Sequence, residues 1–196
     1  MKKLLVAGLI AALCLSTLAF VAGCGGDKNK DEAKSYMKKG DEYIDAVETT
    51  WEGLEEKQTE IATKAIGGDY SAFTGEMGEA LKKEFEETFA AIGKNIDAAY
   101  AEYKKINGLE GVQDYKDYAA KMMEAIELMK KQLAAAQTLL AKLSDTLIAL
   151  AQGQQVDLIS MMMESEEMTM LQELGDDIDK LMKEAEQIKL DKKLES

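Results

Sequence analysis

The chain has 196 residues, of which 46% are hydrophobic and 31% are charged, and its net charge is -13 at pH 7. This size and hydrophobic content suit one globular domain. The acidity argues against nucleic acid as a partner, because phosphate binding needs a concentrated positive surface. The chain contains no Pro, His or Arg. The lack of Pro favours long helices, and the lack of His removes the usual general base and commonest metal ligand. We therefore expect no enzyme and no cofactor.

The N-terminus has the order of features of a secretory leader. Lys2 and Lys3 precede an apolar run at 4–20, and the small-residue stretch Val21-Ala22-Gly23-Cys24 follows, which predicts a signal peptide at 1–23. The last four residues resemble the lipobox of bacterial lipoproteins. The resemblance implies that Cys24 is lipidated and becomes the first mature residue. An uncleaved transmembrane anchor or an ordinary secreted protein are the alternatives.

Lipidation would place the protein on the extracytoplasmic face of the cell membrane or outer membrane, with the membrane as a partner through Cys24. Cys14 lies in the leader, so the mature body would have no free thiol and no disulfide. The next residues, 24–32, are small or charged and predict a flexible tether.

The most regular pattern in the chain runs over 115–150. Apolar residues recur there at alternating intervals of four and three residues. The average spacing of about 3.5 residues is typical of helix bundles. The positions are Tyr115, Ala119, Met122, Ile126, Met129, Leu133, Ala136, Leu140, Leu143, Leu147 and Leu150. We predict a central helix from Val112 or Asp114 to Gln152, closed by Gly153. One apolar stripe of this length needs partners that cover it.

Two earlier segments, 33–66 and about 71–106, also have helical periodicity. Gly67-Gly68 ends the first, where a left-handed C-terminal residue is common. Asp69 or Ser71 can cap the second.

The fourth segment, 156–188, is less regular. Its apolar stripe is interrupted at 164–167, and Thr169 with Gln172 makes a possible capping box. We expect a kink or a short break there.

The predicted fold is all-α: an elongated antiparallel up-down-up-down four-helix bundle after an N-terminal signal peptide. The bundle is predicted over 33–190, with a C-terminal tail at 191–196. Short connections between long helices favour antiparallel neighbours. A three-helix bundle, with the fourth segment packed partly or in trans, is the alternative.

Five methionines lie within ten residues and form the candidate partner or ligand region. They are Met161, Met162, Met163, Met168 and Met170. Methionine fills irregular core gaps or lines adaptable grooves, and exposed thioethers can bind Cu(I). All three interpretations stay open. Gln58, which falls in the apolar face of the first helix, is a second irregular position.

Other constellations favour packing. Six tyrosines, at 36, 43, 100, 103, 115 and 118, could line a groove for glycans or peptides, although their helical spacing favours the core and bundle ends.

A di-iron site of the Glu-x-x-His kind is impossible without His. Trp51-Glu52-Gly53 is similar to the Trp-x-Gly turn of small secreted helical-hairpin proteins, but it lies within a predicted helix, so Trp51 is interpreted as a core or interface anchor.

These observations predict a lipid-anchored extracytoplasmic helical bundle. It would act as a binding or spacer module at the cell envelope, with an envelope protein or polymer as partner. The alternative is a small-ligand or metal-binding lipoprotein with a Met-rich site between helices.

Overall fold

The computed structural model describes residues 2–69, 71, 74–156 and 165–195, with side chains from Lys28 onward except at Ile66. Within these ranges the chain forms four α-helices and no strand, which confirms the predicted all-α four-helix fold. They are α1 (Lys2–Ile66), α2 (Gly75–Ile106), α3 (Gln113–Ala151) and α4 (Glu166–Asp191). The closest packing joins α1 to α2, α2 to α3, and α3 to α4.

Contacts at the helix ends show that successive helices run in opposite directions. Asn29 of α1 donates a hydrogen bond to the carbonyl oxygen of Glu110, between α2 and α3 (3.0 Å), and Lys34 donates to the carbonyl oxygen of Glu195 after α4 (2.6 Å). We call this the proximal end. The other end, which contains the α1–α2 connection and the C-terminus of α3, is the distal end.

The predicted seam of α3 is the core of the bundle. Eight of its eleven positions are buried, and Leu140, Leu143 and Leu150 are partly buried against the same core. The apolar face of α2 is buried from Phe85 to Ile106, whereas Met77 near the distal end is 61% exposed. The apolar side chains of α2 are therefore buried toward the proximal end and become more exposed toward the distal end.

Three helices end in the same hydrogen-bonded motif, in which a residue with positive φ turns the chain, and its own N–H group and that of the following residue donate to carbonyl oxygens of the last turn. Gly68 and Gly153, both at φ 82°, end α1 and α3 as their glycines predict. Lys193, at φ 52°, ends α4 in the same way. Its turn carries Leu194 back onto the core, where Leu194 is 3% exposed.

The structure differs from the predicted boundaries at three places. Helix α1 runs through the stretch 24–32, which was predicted to be a flexible tether, and Asn29 within it already contacts the bundle. The stretch 191–195 is not a free tail, since Leu194 packs in the core and Tyr115 donates to its carbonyl oxygen at 3.0 Å. Thr169 does not cap α4.

The cap of α4 is Ser165, whose side-chain oxygen accepts the N–H of Met168 at 3.1 Å. In the predicted interruption at 164–167, Ser165 is non-helical, whereas 166 and 167 already belong to α4; 157–164 lie outside the described residues. Gln58, the other irregular position, is half-buried on α1.

Gly40 has a structural role that the sequence does not reveal. A Cβ atom at this position would lie 2.5 Å from Cε1 and Cζ of Tyr103, a fully buried ring on α2. Glycine here therefore lets the Tyr103 ring pack directly against the backbone of α1.

This contact predicts opposite effects for two glycines of one helix. Gly40→Ala should lower the free energy of unfolding by about 1–3 kcal/mol through overpacking, despite a better helix propensity. Gly53→Ala, which adds a Cβ in open space, should raise it by about 0.5–1 kcal/mol. Urea unfolding followed by circular dichroism measures both, and stabilisation by both substitutions would contradict the close packing.

Candidate functional site

A polar cluster at the proximal end joins all four helices. Asp41 of α1 accepts hydrogen bonds at Oδ1 from the hydroxyls of Tyr103 (2.8 Å) and Tyr118 (2.7 Å), which belong to α2 and α3. Its Oδ2 accepts from the ammonium of Lys189 on α4 (3.0 Å). Lys189 also pairs with Glu195 at 2.7 Å. We call these five residues the Asp41 cluster.

The electrostatics of the Asp41 cluster fit a fixed network. Burial raises the pKa of both Tyr103 and Tyr118 well above the ordinary range, and the negative charge of Asp41 adds to the effect. Burial alone would lower the pKa of Lys189, but its hydrogen bonds to Glu195 and Asp41 outweigh burial and raise it. Each hydroxyl therefore stays protonated as a donor and the ammonium stays charged, so we interpret the cluster as a structural clamp.

A large cavity lies at the distal end. It is a groove of about 810 Å³ between the N-terminal half of α2 and the C-terminal half of α3. Its apolar lining includes Leu81, Phe85 and Phe89 of α2 and Leu140 and Ile148 of α3. We call it the α2/α3 groove. Its volume lies within the range of about 300–1,000 Å³ that is usual for ligand sites.

Charged residues line the same groove with an excess of negative charge. Glu79 and Glu86 of α2 and Asp145 of α3 carry three negative charges, and Lys82 carries one positive charge. A groove of this character attracts an occupant that has an apolar face and positively charged flanks.

Helix α4 begins part-way along α3. Lys142 of α3 pairs with Glu167 in the first turn of α4 at 2.6 Å, so α4 begins level with Lys142. The remaining nine residues of α3, to Ala151, extend about 14 Å past that point at 1.5 Å per residue. Within the described chain, this part of α3 therefore lacks the neighbour that covers its proximal half.

The part of α3 that extends past the start of α4 belongs to the most apolar stretch of the helix. The helix contains an 18-residue window with a mean hydropathy of 1.3, in which only 17% of the residues are buried. By length and composition α3 could cross a membrane, and its proximal half forms the bundle core. Between 133 and 151 the charged residues are Lys142 and Asp145. Of the large apolar side chains in this stretch, Leu140, Leu143 and Leu150 are partly buried against the core and Ile148 is 38% exposed.

Two of the five methionines of the predicted site lie among the described residues. Met168 and Met170 are 40% and 48% exposed on the first turns of α4 and do not line the α2/α3 groove. Met161, Met162 and Met163 lie outside the described residues, so the Met-rich site stays a prediction. The side chain of Cys24 lies outside them too, and its lipidation also stays a prediction.

The groove and the proximal end are far apart along α2. Counted from Ile106 at 1.5 Å per residue, the groove extends from about 24 Å at Ala90 to about 47 Å at Gly75. Since α1 enters the bundle at the proximal end, a chain attached through its N-terminal region would hold the groove well away from the point of attachment.

Sequence reasoning did not identify the groove, because it depends on how α2 and α3 pack against each other at the distal end. The only available indication was the apolar stretch 133–151, which was interpreted as part of a continuous core seam. No family model, curated protein or solved structure matches this chain.

Proposed function

We propose that the protein is a lipid-anchored binding module of the cell envelope that presents the α2/α3 groove on the extracytoplasmic side. The lipobox-like stretch ending at Cys24 supports the anchor. The observation that carries the binding role is the groove itself, about 810 Å³ with an apolar floor and an excess of negative charge. The length of the bundle supports a spacing role as well, since the groove lies at the end away from the N-terminal entry of α1.

The occupant that fits the groove best is an amphipathic helix with basic flanks from an envelope protein. Along α2 the groove runs from Gly75 to Ala90, about 24 Å, which matches a partner helix of about 16 residues. Its apolar floor suits the apolar face of such a helix. The excess charge of Glu79, Glu86 and Asp145 suits Lys or Arg beside that face.

The anchor predicts a defined modification. We expect mass spectrometry of the mature protein from a bacterial host to find Cys24 as the first residue, with lipid on its thiol. Cys24→Ser should move the protein from the membrane fraction to the soluble fraction, because stable anchoring depends on the acyl chains. Cys14→Ser, in the leader, is the matched control and should change neither property. A mature chain with an unmodified Cys24 would contradict the proposal.

The groove predicts selective binding of a basic helix. The probe is a fluorescein-labelled 16-residue amphipathic peptide with a Leu face and Lys flanks, titrated against the full anchored chain in phosphatidylcholine nanodiscs. We expect saturable anisotropy, and weaker binding by the same peptide with Glu flanks. Glu86→Lys should weaken binding about three- to tenfold, since one reversed contact contributes about 1 kcal/mol.

Glu87 provides the matched control. It adjoins Glu86, pairs only loosely with Lys83 (3.7 Å, both exposed) and does not line the groove. Glu87→Lys makes the same change in net charge and should alter the affinity less than twofold. Equal effects of the two substitutions would show that net charge rather than the groove governs binding. Equal binding of the Lys-flanked and Glu-flanked peptides would also contradict the proposal.

A further inference from the structure

A second cavity, of about 270 Å³, lies between α1 and α4. All four helices line it, and none of its residues lines the α2/α3 groove. Its apolar lining includes Ile96, Met129 and Ile178, which are buried in the core, and the partly buried Trp51 of α1. We call it the Trp51 cavity. Its volume is slightly below the usual range for drug-sized ligands, which indicates a small occupant.

The charged side chains of the Trp51 cavity are mostly carboxylates of one helix face. Glu48, Glu52 and Glu55 of α1 line it together with Asp179 of α4, and no Lys is among its lining residues. Lys183 lies 3.8 Å from Asp179, but both side chains are more than 70% exposed, so this pair neutralises little of the charge.

The surroundings of Glu48 show the effect of this imbalance. Burial raises the pKa of Glu48, and repulsion from Asp45, Glu52 and Asp179 raises it further. A positive charge placed among these carboxylates would relieve that repulsion. The cavity thus combines an apolar floor, one aromatic ring and a solvent-exposed rim of negative charge.

We propose that the Trp51 cavity binds a small organic cation, with the apolar or aromatic body on the floor and the ammonium group among the carboxylates. The indole of Trp51 favours such a cation, because ammonium groups are attracted to the face of an aromatic ring. A neutral apolar ligand would leave the carboxylates uncompensated. This second site goes beyond the proposed binding of a helix in the α2/α3 groove and does not depend on it.

A metal ion suits this cavity less well. Hard cations need several oxygen ligands that converge on one point. In the described part of the chain, no group of three or more His, Cys, Asp or Glu side chains is placed to hold a metal ion. The carboxylates therefore surround the mouth of an apolar cavity rather than a coordination point.

The experiment uses Trp51 as its reporter, since it is the single tryptophan of the chain. Phenethylamine is titrated into the full anchored chain while tryptophan emission and calorimetric heat are recorded. Phenylacetate and 2-phenylethanol, which carry the same ring with a negative or neutral group, are the matched ligands. We expect a saturable emission change with phenethylamine, weakened by salt, and at least tenfold weaker binding of the other two.

Two double variants test the carboxylates. Glu48→Gln with Glu52→Gln removes two charges from the cavity and should weaken phenethylamine binding about fivefold or more. Glu42→Gln with Glu56→Gln removes two charges from the same helix at exposed positions outside the cavity, and should change the affinity less than twofold. Circular dichroism melting of both variants checks that they remain folded.

Three results would overturn the proposal. The first is unchanged Trp51 emission, with or without binding heat, because a bound ring in this cavity must lie beside the indole. The second is equal binding of 2-phenylethanol, which would show an apolar cleft without selectivity for cations. The third is binding that survives Glu48→Gln with Glu52→Gln unchanged in a folded protein.

Discussion

Asp41→Ala is expected to lower the free energy of unfolding by about 2–4 kcal/mol, since it leaves two buried hydroxyls and a partly buried ammonium without their shared acceptor. The acceptor serves Tyr103, Tyr118 and Lys189, one from each of the other three helices. The loss should appear as a lower urea midpoint at unchanged slope. Asp45→Ala, one turn further along α1 at an exposed position, is the control and should change stability by less than about 0.5 kcal/mol.

A double-mutant cycle makes this prediction specific to the Asp41 cluster. Tyr118→Phe alone should cost about 1 kcal/mol through the lost hydrogen bond. In the Asp41→Ala background its cost should nearly vanish, because the acceptor is already gone. Additive effects of the two substitutions would contradict the view that Asp41 holds the helices together through these side chains.

The second large effect is a loss of stability at alkaline pH. The folded state raises the pKa of Tyr103 and Tyr118 above the unfolded value of about 10. Their contribution to the free energy of unfolding is therefore fully present below about pH 10. It is lost as the pH rises further, because only the unfolded chain then releases these protons. Together the two hydroxyls should lower the free energy of unfolding by about 3 kcal/mol per pH unit in this range. The raised pKa of Lys189 acts in the same direction.

Tyrosinate absorbance together with circular dichroism tests this effect. Of the seven tyrosines, we expect Tyr103 and Tyr118 to ionise only as the helices unfold, so that part of the absorbance change coincides with the loss of helix. Tyr103→Phe with Tyr118→Phe is less stable at neutral pH but should lose stability less steeply above pH 10. Complete tyrosine ionisation before any loss of helix would contradict the burial of these hydroxyls.

The sequence predicts those features of the fold that local patterns determine. The seam from Tyr115 to Leu150 identifies α3 and its buried face. Gly67-Gly68 and Gly153 identify the ends of α1 and α3, because a left-handed residue suits glycine. The lack of Pro agrees with helices of this length.

Features that depend on tertiary contacts could not be predicted in this way. The tyrosines were assigned to the core and bundle ends, but their shared acceptor, Asp41, lies more than 60 residues away along the chain. Lys193 ends α4 with a positive φ that a glycine would normally signal. The docking of Leu194 explains why that turn persists in spite of its cost. The groove likewise follows from the packing of α2 against α3 at the distal end, which no local pattern records.

Hydrogen–deuterium exchange of the full anchored chain, with and without the Lys-flanked peptide, tests most directly whether the α2/α3 groove is the binding surface. We predict slower exchange confined to α2 from Gly75 to Ala90 and to α3 from Gln137 to Ala151, the two helix faces that line the groove. Exchange that is unchanged at saturating peptide, or slowed only at the proximal end around the Asp41 cluster, would contradict this account.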